Sequence, residues 1–299
     1  MKAATQVKKL GWEFGFLESL KKIDLRSAVF VLLLAVLGYL TLVPLFSLLW
    51  SSFHPGWELG DVTSFTVASY SKVFGHDKFF EMVSNTAIYG LGGTLLAVGL
   101  GTVFAWLVER TNMPCRNLTY AMLFAPVAIP GLIFAISYIL LLSPQIGVLN
   151  KLLMFLFGLE QAPFDIYNLT GLIFVEGIRL TPGSFLMMSA VLKSMDPSLE
   201  EAAYTSGTGV LRTAGVVTAP LMLPGILAAC IYYFITVIES FEIPAIIALP
   251  VGLQLLTTKI FFATNAETSF PQYSVAAAVS ILFVLASALL IYLYSRATK

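Results

Sequence analysis

Ionisable side chains are few in this sequence, and two pairs of them are spaced so that they could carry chemistry. Glu239 and Glu242 lie one helical turn apart at the end of an apolar run, where two carboxylates could attract a cation or act as acid and base. Glu176 and Arg179 lie three residues apart inside another apolar run and could pair on one helical face. No His, Ser or Cys partner suits a hydrolytic site, so we expect a pore-mouth or structural role for the first pair. The second pair is either a pathway element or a structural ion pair.

Metal and nucleotide chemistry have little support in the sequence. The two histidines, His54 and His76, are far apart and match no metal-ligand spacing, so we expect a surface loop there and no metal site. The chain has no Gly-x-x-x-x-Gly-Lys-Ser/Thr phosphate loop, so we expect it to bind no ATP in that way. The sequence therefore predicts a protein that is not itself an enzyme.

The composition indicates what must position these residues. Hydrophobic residues make up 58% of the chain and charged residues 11%, with a mean hydropathy of +0.87. A soluble domain carries about 25% charged residues, so this chain cannot cover itself with polar surface. We expect an integral membrane protein in contact with lipid. The net charge is zero, which favours no nucleic-acid partner.

Six apolar runs predict an all-α protein with six transmembrane helices. A basic segment, residues 1–26, precedes them, and the span domain covers residues 27–299. Pro126, Pro130 and Gly131 interrupt the third run, which predicts that this helix bends or opens, either beside a pathway or as a static kink. The predicted spans are 27–50, 84–108, 118–142, 169–192, 221–238 and 272–294.

The second predicted span carries a face of small residues that predicts close packing. These residues recur every four positions, and in lipid such a face lets another helix approach closely. We expect the role of this face to be structural. The residues are Gly93, Ala97, Gly101 and Ala105.

The distribution of cations predicts the orientation. Six spans place both termini on one side, together with Arg110, Arg116, Lys193 and Arg212, whereas four lysines fall on the other side. The positive-inside bias then places the termini and the loop 193–220 in the cytoplasm.

The loop 193–220, called the coupling loop below, is long and polar between two spans. Asp196 can cap a short helix with Pro197 at its first position, and Glu200 and Glu201 suit the positive end of its dipole. Gly207 is placed to end that helix in a left-handed conformation. A second short helix can follow over 208–218. On these features alone, a solvated loop with well-capped helices is as good an interpretation as a docking site.

The coupling loop resembles the EAA loop of the integral membrane subunits of ABC importers. Glu201-Ala202-Ala203 is followed by Gly207 at the family spacing, and Pro220 matches the proline of the downstream Ile-x-Leu-Pro pattern, although smaller apolar residues replace its Ile and Leu. The resemblance implies the six-span MetI-like fold of type I importers. It also implies that Glu201, Ala202, Ala203, Gly207, Arg212 and Pro220 belong to a loop that docks on an ATPase.

Further motifs make the chain resemble the ferric-iron group of these permeases, from about residue 32 to 294. Phosphonate, polyamine, thiamine and sulfate permeases are similar, so iron is the expectation and another small solute the alternative. Members of the iron group commonly fuse two six-span halves, whereas this chain resembles the N-terminal half alone. The motifs are Trp106–Pro114, Ala125–Gly131, Leu142–Asn150, Glu239–Pro244 and Thr257–Ile260.

The resemblance also implies the partners and the location. It implies two copies of a cytoplasmic ABC ATPase that bind ATP and Mg²⁺, with no cofactor on this chain. It further implies a second permease half that is fused, separate or identical, an extracytoplasmic binding protein, and the bacterial inner membrane. The rival from another class is a secondary transporter, for which Glu176, Glu239 and Glu242 are the only support.

Overall fold

The computed structural model describes residues 25–55, 63–265 and 271–297, and every regular element in these ranges is helical. The predicted cytoplasmic segment 1–26, except for its last two residues, lies outside the described part of the chain. The protein divides into two units, residues 1–51 and 52–299. The first contains most of helix α1 (Leu25–Phe53), an apolar helix that keeps its helical structure through Pro44.

The second unit contains the other helices. They are α2 (Ala68–Phe74), α3 (Phe79–Arg110), α4 (Arg116–Phe124), α5 (Gly131–Leu142), α6 (Val148–Phe157), α7 (Leu169–Ser194), α8 (Ser198–Thr205), α9 (Val210–Thr213), α10 (Ala219–Glu239), α11 (Glu242–Ile247), α12 (Leu256–Thr264) and α13 (Tyr273–Ala297). Short 3₁₀ segments cover Ala125–Ala128 and Leu249–Val251.

Five helices in the described residues are long and apolar enough to cross a membrane, and a sixth crossing results if one bent pair counts as a span. The pair is Arg116–Ala128 with Gly131–Leu142, and the bend between its two parts is 109°. Pro126 and Pro130 cause it, because a proline has no N–H for the helical ladder and its ring displaces the preceding turn. The predicted break is confirmed, and it is much sharper than an ordinary proline kink.

Close packing of α3 on α7 forms the centre of the second unit, and α10 packs against both. The small residues of α3 lie where α7 and α10 pack against this helix. A Cβ on Gly101 would lie 2.7 Å from the backbone nitrogen of Phe185, and one on Gly93 would lie 3.2 Å from Val237. Ala97 and Ala105 are fully buried. Small side chains allow this approach, which is what helices in lipid need in place of a hydrophobic driving force.

The fifth span begins earlier than the sequence predicts. Instead of a separate helix over 208–218, the chain forms one continuous helix, Val210–Glu239, with a π-helical turn at Ala214–Thr218. Pro220 therefore lies inside this helix and does not open it. Because Pro220 cannot donate a backbone hydrogen bond, the turn before it is a place where a wider helical turn is tolerated.

A buried asparagine organises the segment between α5 and α7. The Asn150 amide contacts the carbonyl oxygens of Leu142, Ser143 and Phe164 at 2.9–3.0 Å, and its carbonyl accepts a bond from the Phe164 nitrogen. These bonds fix the amphipathic helix α6 against the end of α5. The segment Val148–Phe157 is thus a short helix held by one polar side chain.

Candidate functional site

The coupling loop contains the short helix α8, and both of its ends are closed by local hydrogen bonds. Asp196 accepts a bond from the Ser198 nitrogen at 2.9 Å, and its bonds with Ser198 lower the pKa of the Asp196 carboxyl. At the other end Gly207 has φ +82°, and the Thr208 nitrogen bonds to the Ala203 oxygen. The left-handed conformation predicted for Gly207 is therefore present, and it satisfies carbonyl groups that the helix end leaves free.

The two adjacent glutamates of α8 differ in exposure. Glu201 is exposed, whereas Glu200 is only 5% exposed. One Glu200 carboxylate oxygen lies 2.8 Å from the Nε of Arg110 at the end of α3, and the other accepts a bond from the Thr218 hydroxyl in the π-helical turn. Glu200 therefore ties α8 to two spans, a role that its place in the first helical turn did not predict.

Arg110 also closes the end of α7. Its Nη2 donates to the Leu192 oxygen at 2.6 Å and to the Met195 oxygen at 3.3 Å. The last carbonyls of a helix lack helical partners, and a guanidinium group supplies charge-assisted bonds to them. The one sequence signal for this role was an arginine at the cytoplasmic end of a predicted span.

The neighbouring Glu109 forms a separate group of contacts. Its carboxylate accepts bonds from the Tyr120 and Ser189 hydroxyls and pairs with Arg116 at 2.7 Å and Lys193 at 3.3 Å. These contacts join the ends of α3 and α7 to α4, the first part of the bent pair. Adjacent residues of α3 thus hold two different segments.

The outer face of the coupling loop mixes apolar and charged groups. Leu199 on α8 is 51% exposed, Leu211 on α9 is 80% exposed, and Glu201 is also exposed. Single exposed leucines are common, but two in a short loop that also exposes a carboxylate form a surface that suits a protein partner. The remaining residues predicted for coupling are placed as follows: Ala202, Arg212 and Pro220 are exposed and Ala203 is half-buried.

The pair predicted in the fourth span is formed. The Glu176 carboxylate is completely buried, and both of its oxygens contact the Arg179 guanidinium, with Nε at 3.4 Å from Oε2. Arg179 is one quarter exposed, and it extends from this contact into a cleft of about 350 Å³. Glu176 is therefore a buried structural partner, whereas Arg179 is accessible from the cleft.

The second predicted pair, Glu239 and Glu242, lines the same cleft. Glu239 and Glu242 are both exposed and line it together with Arg179 and Ser240. Glu242 also lies against Gly131, at the 109° break, where a Cβ would collide with its carboxylate. Three of the four residues predicted as pathway candidates, Arg179, Glu239 and Glu242, thus line one cleft and are called the cleft cluster below. Glu176 is buried and is connected to the cleft only through its contact with Arg179.

The histidines are separate in the structure. His54 is buried with its ring edge against Phe65, and the Nδ1 of His76 accepts a bond from the Lys78 nitrogen. Among the residues that the structure describes, no group of three His, Cys, Asp or Glu side chains could hold a metal ion.

A set of apolar helices with a short, capped helix between two spans is typical of a polytopic membrane protein. The sequence model of the binding-protein-dependent transport system inner membrane component matches residues 93–299. The chain belongs to this family of ABC importer permeases.

Two curated relatives describe the range of the family. The galactooligosaccharides transport system permease protein GanP of Bacillus subtilis (strain 168) is 26% identical over 225 residues, which is 71% of this chain and 53% of GanP. The putative 2-aminoethylphosphonate transport system permease protein PhnU of Salmonella typhi is 26% identical over 235 residues, which is 77% of this chain and 78% of PhnU. The chain thus spans about half the length of GanP.

A solved structure supports the fold. A chain from the crystal structure of a bacterial ABC transporter involved in the import of the acidic polysaccharide alginate superimposes with a TM-score of 0.77 at 18% identity. The match covers 95% of this chain and 99% of that chain. The predicted all-α ABC permease fold is confirmed.

The expectation of ferric iron is not supported. The two relatives described above are named for an oligosaccharide and a phosphonate, so the alternative of another small solute agrees better with them. The motifs that suggested iron include the span break at Ala125–Gly131 and the turn at Glu239–Pro244. These are backbone features of the fold, which explains why they do not identify a cargo.

Proposed function

We propose that this chain is one half of the translocation unit of a binding-protein-dependent importer, and that its coupling loop docks on a cytoplasmic ABC ATPase. The observation that carries the proposal is the contrast on α8 between Glu200, which is buried and paired, and Glu201, which is exposed. The ion pair with Arg110 fixes Glu200, and with it α8, to a span. Glu201 and the apolar residues near it are exposed and form a rigid surface. A protein partner binds such a surface without having to order it first.

The rest of the assembly follows from the proposed docking. The chain lies in a bacterial inner membrane with the coupling loop and both termini in the cytoplasm, in agreement with the positive-inside bias. Two ATPase subunits supply ATP, Mg²⁺ and hydrolysis. A second permease half, fused, separate or identical, completes the pathway through the domain 27–299, and an external binding protein delivers the cargo.

The cargo in this proposal is a small polar solute other than ferric iron. The cleft cluster lines part of the pathway and offers a guanidinium group beside two exposed carboxylates. Groups of both signs can meet a solute that carries both charges, such as 2-aminoethylphosphonate. This compound is the first candidate, because the relative named for it matches this chain over most of both lengths.

The docking proposal is tested by charge reversal at the exposed glutamate. Glu201→Lys should abolish ATP-dependent uptake and the co-purification of the ATPase, because it places a cation in the surface that the partner binds. The matched control is Glu160→Lys, which reverses another exposed carboxylate, in the segment between α6 and α7. Membrane insertion of both variants is measured first.

Two results would contradict the proposal. One is full uptake by the Glu201→Lys variant. The other is cross-linking of a cysteine at position 201 to reagents or proteins on the external side only. The cargo is tested separately, by comparing the uptake of labelled 2-aminoethylphosphonate, galactooligosaccharide and ferric iron in vesicles with the binding protein present. Uptake of iron alone would refute the cargo proposal and leave the docking proposal in place.

A further inference from the structure

The Glu200 carboxylate joins three helices at one buried point. Its oxygens contact Arg110 of α3 and Thr218 of the π-helical turn, while Glu200 itself belongs to α8. The Arg110 and Glu200 side chains are only 13% and 6% exposed, so the solvent screens their attraction weakly. Through its Nη2, Arg110 also bonds to the last carbonyls of α7.

The backbone segments on either side of α8 hold this helix less rigidly than the ion pair does. Residues 195–197 precede the helix, and Ser206–Gly209, with two glycines, follow it. Short non-helical connections of this kind are where hinges form, because a few residues absorb the change in backbone angles. Of the spans, α8 packs mainly against the helix that begins at α9 and its π-helical turn. The ion pair is therefore the polar contact that links α8 to α3.

We infer that Arg110 and Glu200 are positioning residues for energy coupling, and that they make α8 move as one body with α3 and with the helix Val210–Glu239. The inference rests on the proposed docking of the coupling loop. Glu201 contacts the partner, and Glu200 transmits the displacement to the spans. Without the pair, the partner could move α8 while the softer connections on either side take up the motion.

The effect of the pair is measured at the far end of the same helix. In a chain with both native cysteines replaced by serine, Thr236→Cys, in the wall of the same cleft, reports the state of the cleft through its rate of labelling by a maleimide. The full chain, assembled with its ATPase, second permease half and binding protein in vesicles, is labelled with and without ATP. The amount of bound ATPase and the rate of ATP hydrolysis are measured on the same vesicles.

The variants Arg110→Gln and Glu200→Gln both remove the ion pair, and Glu200→Gln does so with almost no change in size while it leaves the Arg110 bonds to α7 in place. We expect ATP to change the labelling rate about tenfold in the parent chain, within the usual range for coupled sites. In both variants ATP should leave the labelling rate nearly unchanged, a ratio close to one, while bound ATPase and ATP hydrolysis persist. Arg110→Lys should restore part of the response, because an ammonium group can still pair with Glu200 but cannot reproduce the guanidinium bonds.

Arg116→Gln is the matched control. It removes an ion pair of similar length, 2.7 Å to Glu109, whose two partners both lie outside α8. We expect it to keep the full response of the labelling rate to ATP.

Each other outcome overturns the inference. A normal ATP response in both the Arg110→Gln and Glu200→Gln variants shows that the pair carries no motion. A second such outcome is that the variants lose bound ATPase to the same extent as they lose the ATP-dependent change in labelling rate. If the chains that still bind ATPase then show a normal change, the pair is only structural. A parent chain that binds no ATPase refutes the proposed function as well, and the two failures are distinguished by this measurement.

Discussion

The substitution Gly101→Ala tests the packing of α3 against α7. A Cβ at this position would meet the Phe185 backbone nitrogen at 2.7 Å and the Ser184 side chain. Ser184 can rotate, but the backbone of α7 cannot yield without moving the helix. Gly99 provides a matched control two residues away in α3, because a Cβ there meets nothing within 4 Å.

The size of the effect follows from two opposing contributions. Replacing glycine by alanine inside a helix stabilises it by about 0.5–1 kcal/mol, and this gain is common to both positions. Overpacking a well-filled contact costs about 1–3 kcal/mol, and this cost applies to Gly101 alone. The difference between the two variants therefore isolates the overpacking cost, and we expect Gly101→Ala to be less stable than Gly99→Ala by about 1–3 kcal/mol.

Thermal unfolding of the full chain in detergent measures this difference. Gly99→Ala should unfold at the temperature of the parent chain or slightly above it, and Gly101→Ala several degrees below it, since about 1 kcal/mol corresponds to 2–4 °C in a domain of 150–250 residues. Equal stability of the two variants would refute the reasoning, because it would mean that α3 and α7 are not in the close contact described.

Three further predictions concern other parts of the molecule. Gly207→Ala should destabilise α8 by about 1–2 kcal/mol, because alanine is strained at φ +82°, and it should also lower uptake. Gly209→Ala, at φ −71°, should have neither effect. Glu176→Ala should lower the free energy of unfolding by about 1–3 kcal/mol, because it removes the buried partner of Arg179, which is a quarter exposed and still shares its cleft with Glu242, and a Glu176→Gln variant should lose less. Asn150→Leu should cost about 1–3 kcal/mol by leaving backbone groups unsatisfied, and limited proteolysis should then cut first between α5 and α7, while unchanged protease resistance would contradict this account.

Much of the span architecture follows directly from the sequence, because local chemistry determines it. Pro126 and Pro130 each remove a hydrogen bond of the helical ladder about one turn apart, so the sequence favours a break at the third span, whereas the single Pro44 leaves α1 helical. Gly207 likewise ends α8, because left-handed backbone costs other residues more. The stripe of small residues on α3 predicts a close contact, although it does not say that α7 is the helix in contact.

The features that the sequence did not predict depend on contacts between distant segments. Glu200 reads as an ordinary acidic residue in a first helical turn, and only its contact with Arg110 in another helix shows that it is buried. The early start of the fifth span was missed because Pro220 normally marks a helix boundary. The cleft cluster combines residues from α7 and from the end of α10, and spacing along the chain cannot bring them together.

The helix Val210–Glu239 has 30 residues, which gives it a length of about 45 Å at 1.5 Å per residue. The hydrocarbon layer of a bilayer is about 30 Å thick, so an upright helix of this length has an overhang of about 15 Å, or ten residues. If the overhang is on the side of Val210, it keeps Arg212 in water and requires neither tilt nor thinning of the lipid. A membrane of greater thickness would shorten this overhang, and lipid thickness alone would then change how far the docking surface stands from the bilayer.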